Sequence, residues 1–366
     1  MKVVYLTNQI CGAGGLERVL SIKANYLTEA LNYEIHIITL NQKNASIFYH
    51  FSDRIKLHDL EVEGNSITYI LNYIKKLNVC ISKIQPDLIS VCDDGLKGFF
   101  VPKVLRYKCP MIYERHASKM IFKNKKDPSF FDKIKISAVE KLMDFGAKSY
   151  DAFVVLTQYN LSEWCLKNIK VIPNPLSFYL EKQSSLKNLK VITVGNHGYQ
   201  KGYDLLLQIW KKVINQHPNW TLDIYGKVDS KKKHYKLAEQ LNICEYVNFY
   251  APVKDIEEKY QEASIYAMTS RSEGFGMVLI EAMALGLPCI AFDCPCGPRD
   301  IIENLHNGFL IKEGDIEGYA KRLIELIVDE ELRNRFGSNA RKTANNYEVE
   351  KIVAQWDLLF KNLTKL

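Results

Sequence analysis

The residues best suited to chemistry in this chain are two glutamates. They lie in Ser270-Arg271-Ser272-Glu273-Gly274-Phe275-Gly276-Met277-Val278-Leu279-Ile280-Glu281. Gly274 and Gly276 predict a tight loop, and Met277 to Leu285 predicts a helix. Glu281 then falls among Leu279, Ile280, Ala282 and Met283, where a carboxylate is costly unless it has a partner. Eight residues of helix span about 12 Å. Carboxylates that flank one glycosidic bond lie roughly 5–9.5 Å apart. The spacing therefore suits two carboxylates gripping opposite ends of an extended ligand, with a helix N-terminus between them as a seat for a diphosphate. The competing reading is a solvated Glu273 and a Glu281 satisfied by local backbone donors.

Two further loops carry glycines where a strand should hand over to a helix. In Val194-Gly195-Asn196-His197-Gly198-Tyr199-Gln200-Lys201-Gly202, Lys201 stands near the start of the next helix. A cation there opposes the helix dipole, a cost that a bound diphosphate would reverse; plain solvation of the lysine is the alternative. Near the start, Gly12-Ala13-Gly14-Gly15-Leu16-Glu17-Arg18 puts three glycines just ahead of a helix, which lets backbone approach a phosphate. A turn that merely closes a strand onto a helix is the alternative. It is a poor dinucleotide fingerprint, because the third glycine position holds Glu17. The second strand also ends Thr39-Leu40-Asn41-Gln42, with no acid for a ribose. Hydride transfer is excluded on those grounds.

These loops need elements to position them. Apolar runs of strand length are expected at Val3–Thr7, Glu34–Leu40, Asp87–Cys92, Met111–Glu114, Ala152–Leu156 and Val171–Ile172. Helices are expected at Leu16–Leu31, Ser66–Ile84 and Ser137–Lys148. Ile172-Pro173-Asn174-Pro175 breaks the rhythm. It restarts with strands at Lys190–Val194, Thr221–Tyr225, Tyr246–Tyr250, Ile265–Met268, Pro288–Phe292 and Phe309–Ile311. The helices here are Tyr203–Gln216, Glu257–Glu262, Met277–Leu285, Ile316–Val328 and Leu332–Asn345. Such alternation predicts an α/β fold of two doubly wound Rossmann-like domains, 1–174 and 175–347, facing across a cleft that is the default site. The stretch 348–366, with Trp356, Leu358, Leu359 and Phe360, predicts a helix that docks back on the first domain.

Composition sets the outer limits. The 366 residues exceed one ordinary core, and a formal charge of +7 is too mild for a nucleic-acid binder but suits phosphates or an anionic membrane surface. The nine cysteines are odd in number and scattered, and several lie in apolar runs (Cys80, Cys92, Cys109, Cys244, Cys289), which predicts reduced, core-filling thiols. Cys294-Pro295-Cys296 has no second pair at zinc-ligand spacing, so no metal site is expected. The immediate first strand and the lack of a bilayer-length apolar run place the chain in the cytoplasm. The segment 119–148 interleaves eight lysines with Met120, Ile121, Phe122, Phe130, Phe131 and Ile134. It reads either as a solvated loop or as a peripheral contact with the inner face of an anionic membrane.

Taken together, these residues resemble the retaining GT-B glycosyltransferases of glycosyltransferase family 4, in particular bacterial members that build surface polysaccharides such as capsule and lipopolysaccharide. The resemblance covers nearly the whole chain. It rests on Glu273 and Glu281 with seven residues between, on Gly14-Gly15-Leu16-Glu17-Arg18, Ile172-Pro173-Asn174-Pro175 and Gln200-Lys201-Gly202, and on Cys294 to Ile302. It implies that Glu281 binds ribose hydroxyls and that Glu273 with the Gly274, Phe275, Gly276, Met277 and Val278 segment holds the donor sugar. It gives Lys201 and Gly14-Gly15 the diphosphate, and places His116 near the donor sugar. Many relatives have arginine where this chain has Asn196, which leaves Arg271 or Arg299 as candidates for the second phosphate cation.

The implied reaction keeps the anomeric configuration and uses no metal and no cofactor. It takes a hexose or N-acetylhexosamine from a nucleotide sugar, UDP-linked, to a growing, lipid-linked oligosaccharide. The alternatives are a GT-B nucleotide-sugar epimerase and a non-catalytic nucleotide-sugar-binding protein.

Overall fold

The computed structural model describes residues 1–93, 95–119, 129–176, 178 and 182–365. The chain divides into two compact units. Met1–Ser177 joins Val349–Leu366 in the first, and Phe178–Glu348 forms the second.

In the first unit, β1 (Lys2–Leu6), β2 (Glu34–Leu40), β3 (Lys56–Leu60), β4 (Leu88–Val91), β5 (Met111–Glu114), β6 (Ala152–Val155) and β7 (Ile169–Val171) pair in parallel, in the order β3-β2-β1-β4-β5-β6-β7. Helices α1 (Gly15–Glu29), α2 (Ser66–Ile84), α3 (Val101–Val104), α4 (Phe130–Ala147) and α5 (Gln158–Leu161) connect the strands. Alternate side chains serve opposite faces of the sheet. Val3, Tyr5, Ile35 and Ile37 pack with Leu20, Ala24 and Leu27 of α1. Val4, Leu6, Ile38 and Leu40 pack with Tyr73, Leu77 and Ile81 of α2 and Met143 of α4.

The second unit repeats the plan. Strands β8 (Lys190–Val194), β9 (Thr221–Tyr225), β10 (Val247–Tyr250), β11 (Ile265–Met268), β12 (Cys289–Asp293) and β13 (Gly308–Lys312) lie in parallel, in the order β10-β9-β8-β11-β12-β13. Its helices are α6 (Tyr203–Ile214), α7 (Lys233–Gln240), α8 (Ile256–Gln261), α9 (Met277–Ala284), α10 (Pro298–Ile301), α11 (Ile316–Val328) and α12 (Glu330–Ala344). Leu206, Ile209, Trp210 and Val213 of α6 meet Tyr319, Leu323 and Leu326 of α11 in its core. The last helix, α13 (Val349–Thr364), returns to the first unit, where Ile352, Val353, Trp356 and Phe360 pack with the α1 residues. Tyr33 Oη donates to Asp357 Oδ1 at 2.6 Å to fix it.

Several elements differ from expectation, and for three of them the reason is local. β3 was not anticipated because it is an edge strand with mostly exposed side chains, so its sequence lacks clean alternation. α7 was missed because only His234 and Ala238 of its eight residues are buried. α4 starts at Phe130 instead of Ser137, because Ser129 and Asp132 form a reciprocal capping box that launches it a full turn and more earlier.

Strand order reverses between β1 and β4 in the first sheet and between β8 and β11 in the second. These are the switch points beyond whose carboxyl ends such sheets take ligands.

Candidate active site

At the switch point of the second sheet, the loop after β8 and the loop after β11 are bonded into one body. Arg271 N donates to Gln200 O at 2.7 Å, and Gln200 Nε2 donates to Ser272 O at 2.7 Å. Thr269 Oγ1 donates to Gly202 O at 3.0 Å. Gly202 caps α6 with φ 65°, and a Cβ there would overlap the Thr269 carbonyl oxygen, so only glycine allows this approach. Gly226, after β9, is pressed in the same way against the Gly195 carbonyl.

Across this joined pair of loops, Lys201 Nζ donates to Glu273 Oε1 at 2.7 Å. The glutamate side chain is 9% exposed and the lysine 21%. The two residues singled out from separate motifs are thus direct partners, with the lysine in the turn just before α6. Glu273 N also donates to Pro295 O, which ties in the loop after β12.

Glu281 lies on α9 with no exposed surface, and Tyr260 Oη donates to its Oε2 at 3.3 Å. The partner that a buried carboxylate requires is therefore supplied from α8. Gly276 caps α9 with φ 96°, and Met277 and Val278 form the first, half-buried turn. Gly274 is half-buried in the loop before it. Phe275 is buried, with its ring edge-on to Tyr347 at 5.6 Å, so its side chain serves packing.

Arg271 and Arg299 are both already engaged. Arg271 forks onto Asp204 at 2.8 and 2.7 Å, donates to Tyr199 O at 2.7 Å, and lies 4.1 Å from the Tyr199 ring centroid. Burial alone would raise the Asp204 pKa, but the bonds and charge of Arg271 outweigh it and hold it below the usual range. Arg299 Nε donates to Asp293 Oδ1 at 2.8 Å. Asn196 is exposed and its Oδ1 accepts from Lys227 N at 3.3 Å, which holds the loop after β9 beside it.

Beside Asn196, His197 is buried with neither ring nitrogen bonded. Its ring stands edge-on to Tyr203 and His234. Burial, then the neighbouring His234, push its pKa down to about 4.

In the first unit, the glycine loop opens α1. The carboxylate of Glu17 curls back against Gly12 and Gly14, while the space above Gly15 is open. The anion nearest the N-terminal amides of α1 is thus the chain's own.

His116 follows β5 in a buried cluster that sequence reasoning did not anticipate. Glu114 Oε2 accepts from Lys23 Nζ at 2.5 Å and from His116 Nε2 at 3.3 Å, and its Oε1 accepts from Ser90 Oγ at 2.5 Å. Lys23 and Glu114 are each 1% exposed. Burial opposes ionisation of Glu114, but the Lys23 charge and then His116 prevail, and its pKa drops to about 2. Trp356 of α13 roofs the ammonium, its ring centroid 3.9 Å away. Cys92, Glu114 and His116 bring potential metal-ligand atoms within 4.8 Å of one another. The Lys23 ammonium on that carboxylate already supplies the positive charge a metal would bring.

The described cysteines are all free, but the core-filling expectation holds only for some. Cys92, Cys289, Cys294 and Cys296 are buried, Cys80 and Cys109 are half-buried, and Cys244 is exposed on a short turn before β10.

Two parallel-sheet Rossmann-like units, with glycine loops laced at a switch point, define an α/β architecture with GT-B structural neighbours. Residues 180–343, most of the second unit, match the family model described as glycosyl transferases group 1. An uncharacterised glycosyltransferase from Haemophilus influenzae is 28% identical over 97% of this chain and 98% of its own. The amylovoran biosynthesis glycosyltransferase AmsD from Erwinia amylovora is 29% identical over 97% and 98%. The fold also matches a mutant of S. aureus TarM solved with Fondaparinux, α-GlcNAc-glycerol and UDP. That match has a TM-score of 0.81 and 17% identity, over 98% of this chain and 99% of that one.

Proposed function

We propose that the chain is a retaining glycosyltransferase that moves a hexose or N-acetylhexosamine from a UDP-sugar to a growing, lipid-linked oligosaccharide of a surface polysaccharide. The observation that carries this is the Lys201–Glu273 contact across the joined loops at the β8/β11 switch point. It supports a cation for the diphosphate beside a carboxylate for the sugar hydroxyls. Glu281 serves the ribose, exchanging its Tyr260 bond for the ligand, and the backbone of Gly274 to Val278 lines the sugar and phosphate. The names of the relatives support a polysaccharide product, and the UDP in the TarM structure supports the base.

In the first unit, the same reading gives His116 a part in transfer and α4 a part in reaching a lipid-borne acceptor. Phe131, Ile134, Leu142 and Phe145 of α4 are exposed beside Lys133, Lys135 and Lys141. Such a basic, apolar face suits an anionic bilayer. Met120, Ile121, Phe122, Lys123, Lys125 and Lys126 of the expected membrane segment lie outside the described residues. No described helix is long and apolar enough to cross a membrane.

Calorimetry with UDP on Lys201→Ala and Glu281→Ala tests the site, with the circular dichroism of each variant as a folding control. Each loss of a charge-assisted bond should weaken binding by roughly 10–100-fold. Unchanged affinity in both folded variants would overturn the assignment. NMR of the product's anomeric proton then decides retention, and transfer is expected to persist in EDTA. Donor binding with no transfer to any acceptor would favour the binding-protein alternative.

A further inference from the structure

We infer that Glu114 is a positioning residue for His116, held for that task by a buried clamp of Lys23 and Ser90. The inference rests on the reading of His116 as a participant in sugar transfer. The clamp sits at the carboxyl end of β5, next to the β1/β4 switch point, where the first sheet would take a ligand.

The argument starts from cost. A buried ion pair is no more stabilising than apolar side chains of like volume would be. Lys23 sits on the stripe of α1 that buries Leu20, Ala24 and Leu27, where an apolar residue would pack without a partner. The carboxylate it holds makes a third contact, to His116. Packing alone does not call for that contact.

The geometry defines what the contact does. An ionised carboxylate can only accept hydrogen bonds. Ser90 Oγ and Lys23 Nζ occupy Glu114 from two sides, so His116 Nε2 must be the donor at 3.3 Å. That fixes a proton on Nε2. It also anchors the ring plane to the sheet edge. Lys23 reaches further, under the ring of Trp356 at 3.9 Å and beside that of Tyr5 at 4.9 Å. The return helix α13 is therefore part of the clamp. The same atoms have a rival use, since Cys92, Glu114 and His116 could ligate a metal. A metal at Nε2 would require the opposite proton arrangement and the eviction of Lys23.

The test uses the full chain labelled with [15N]histidine, with the His116 signals assigned by their loss in His116→Ala. Long-range proton–nitrogen correlations should show the Nε2–H tautomer. Glu114→Ala alone strands a buried ammonium, so the diagnostic variant is Lys23→Met with Glu114→Leu, which removes both charges together. It should stay folded and bind UDP with unchanged affinity, but lose the single tautomer. Its kcat should fall by about 10²-fold, the order expected when a reacting group is misplaced. Adding His116→Ala should cost little more, because the two act as one unit. Lys23→Met with Glu114→Gln, which restores an acceptor, should recover part of the rate.

An Nδ1–H tautomer in the unaltered protein would overturn the inference. So would an unchanged tautomer in the double variant, full additivity with His116→Ala, or zinc binding that displaces the Nε2 proton. These readouts are independent of UDP affinity in Lys201→Ala, so the inference and the functional reading fail separately.

Discussion

Lys201 Nζ stands 2.7 Å from Glu273 Oε1, and that contact joins the loop after β8 to the loop after β11. Each charge therefore masks the other. Glu273→Gln removes the mask but keeps the shape. UDP affinity should rise severalfold, since Lys201 no longer shares its charge, while sugar transfer falls by about 10²-fold as the donor sugar loses its anchor. Calorimetry and a transfer assay on one preparation check both directions. A parallel fall in UDP affinity would mean that Glu273 holds the nucleotide itself.

Arg271 forks onto Asp204 and stacks on Tyr199, so it is a strut between α6 and the loop after β11. A lysine cannot reproduce the fork or the stacking. Arg271→Lys should lower stability by roughly 1 kcal/mol, a figure kept small because Asp204 is partly exposed. It should weaken UDP binding through misplacement of Lys201. Urea unfolding and calorimetry measure the two effects.

His197 makes stability sensitive to acid. Its pKa is about 4 in the fold against 6.5 for the free side chain. Between those values the unfolded chain binds a proton that the folded chain refuses, so stability rises with pH across that window and is lost on acidification from 6.5 towards 4. His197→Phe keeps an aromatic ring beside Tyr203 and His234 and removes the titration. The fall in Tm between pH 7 and pH 5 should shrink. An undiminished fall would move the acid sensitivity elsewhere.

Breaking the Lys23–Glu114 pair from one side should be among the most damaging single changes in the first unit. Lys23→Met leaves a carboxylate with 1% exposure and no cation, which costs about 3–5 kcal/mol. The low Glu114 pKa, about 2 against 4.5, adds stability above pH 4.5 that is lost as pH falls towards 2. Lys23→Met should flatten that acid limb as well as lower the plateau, which denaturant titrations at several pH values can resolve.

Much of the fold was legible because parallel strands buried on both faces leave continuous apolar runs, as in Glu34–Leu40 and Ile265–Met268. The edge strand β3 and the polar helix α7 escaped because exposure erases that signal. At the site, glycine placement and a glutamate among apolar residues drew attention to Lys201, Glu273 and Glu281. Their partners were another matter. Asp204 reads as an ordinary acid in a first helical turn, and nothing local ties it to Arg271, 67 residues on. Lys23 did carry a signal, a lysine on the apolar stripe of α1, but its partner is 91 residues away. Sequence spacing shows that a charge is misplaced before it shows what excuses it.

The return of α13 has a consequence for the order in which the chain matures. The core beneath α1 is completed only by Ile352, Val353, Trp356 and Phe360, whereas the second unit is one unbroken stretch, Phe178–Glu348. A ribosome therefore delivers every strand of the first sheet long before the helix that closes one of its faces. The later unit can finish folding while the earlier one waits with that face, and the Lys23 ammonium, still unroofed.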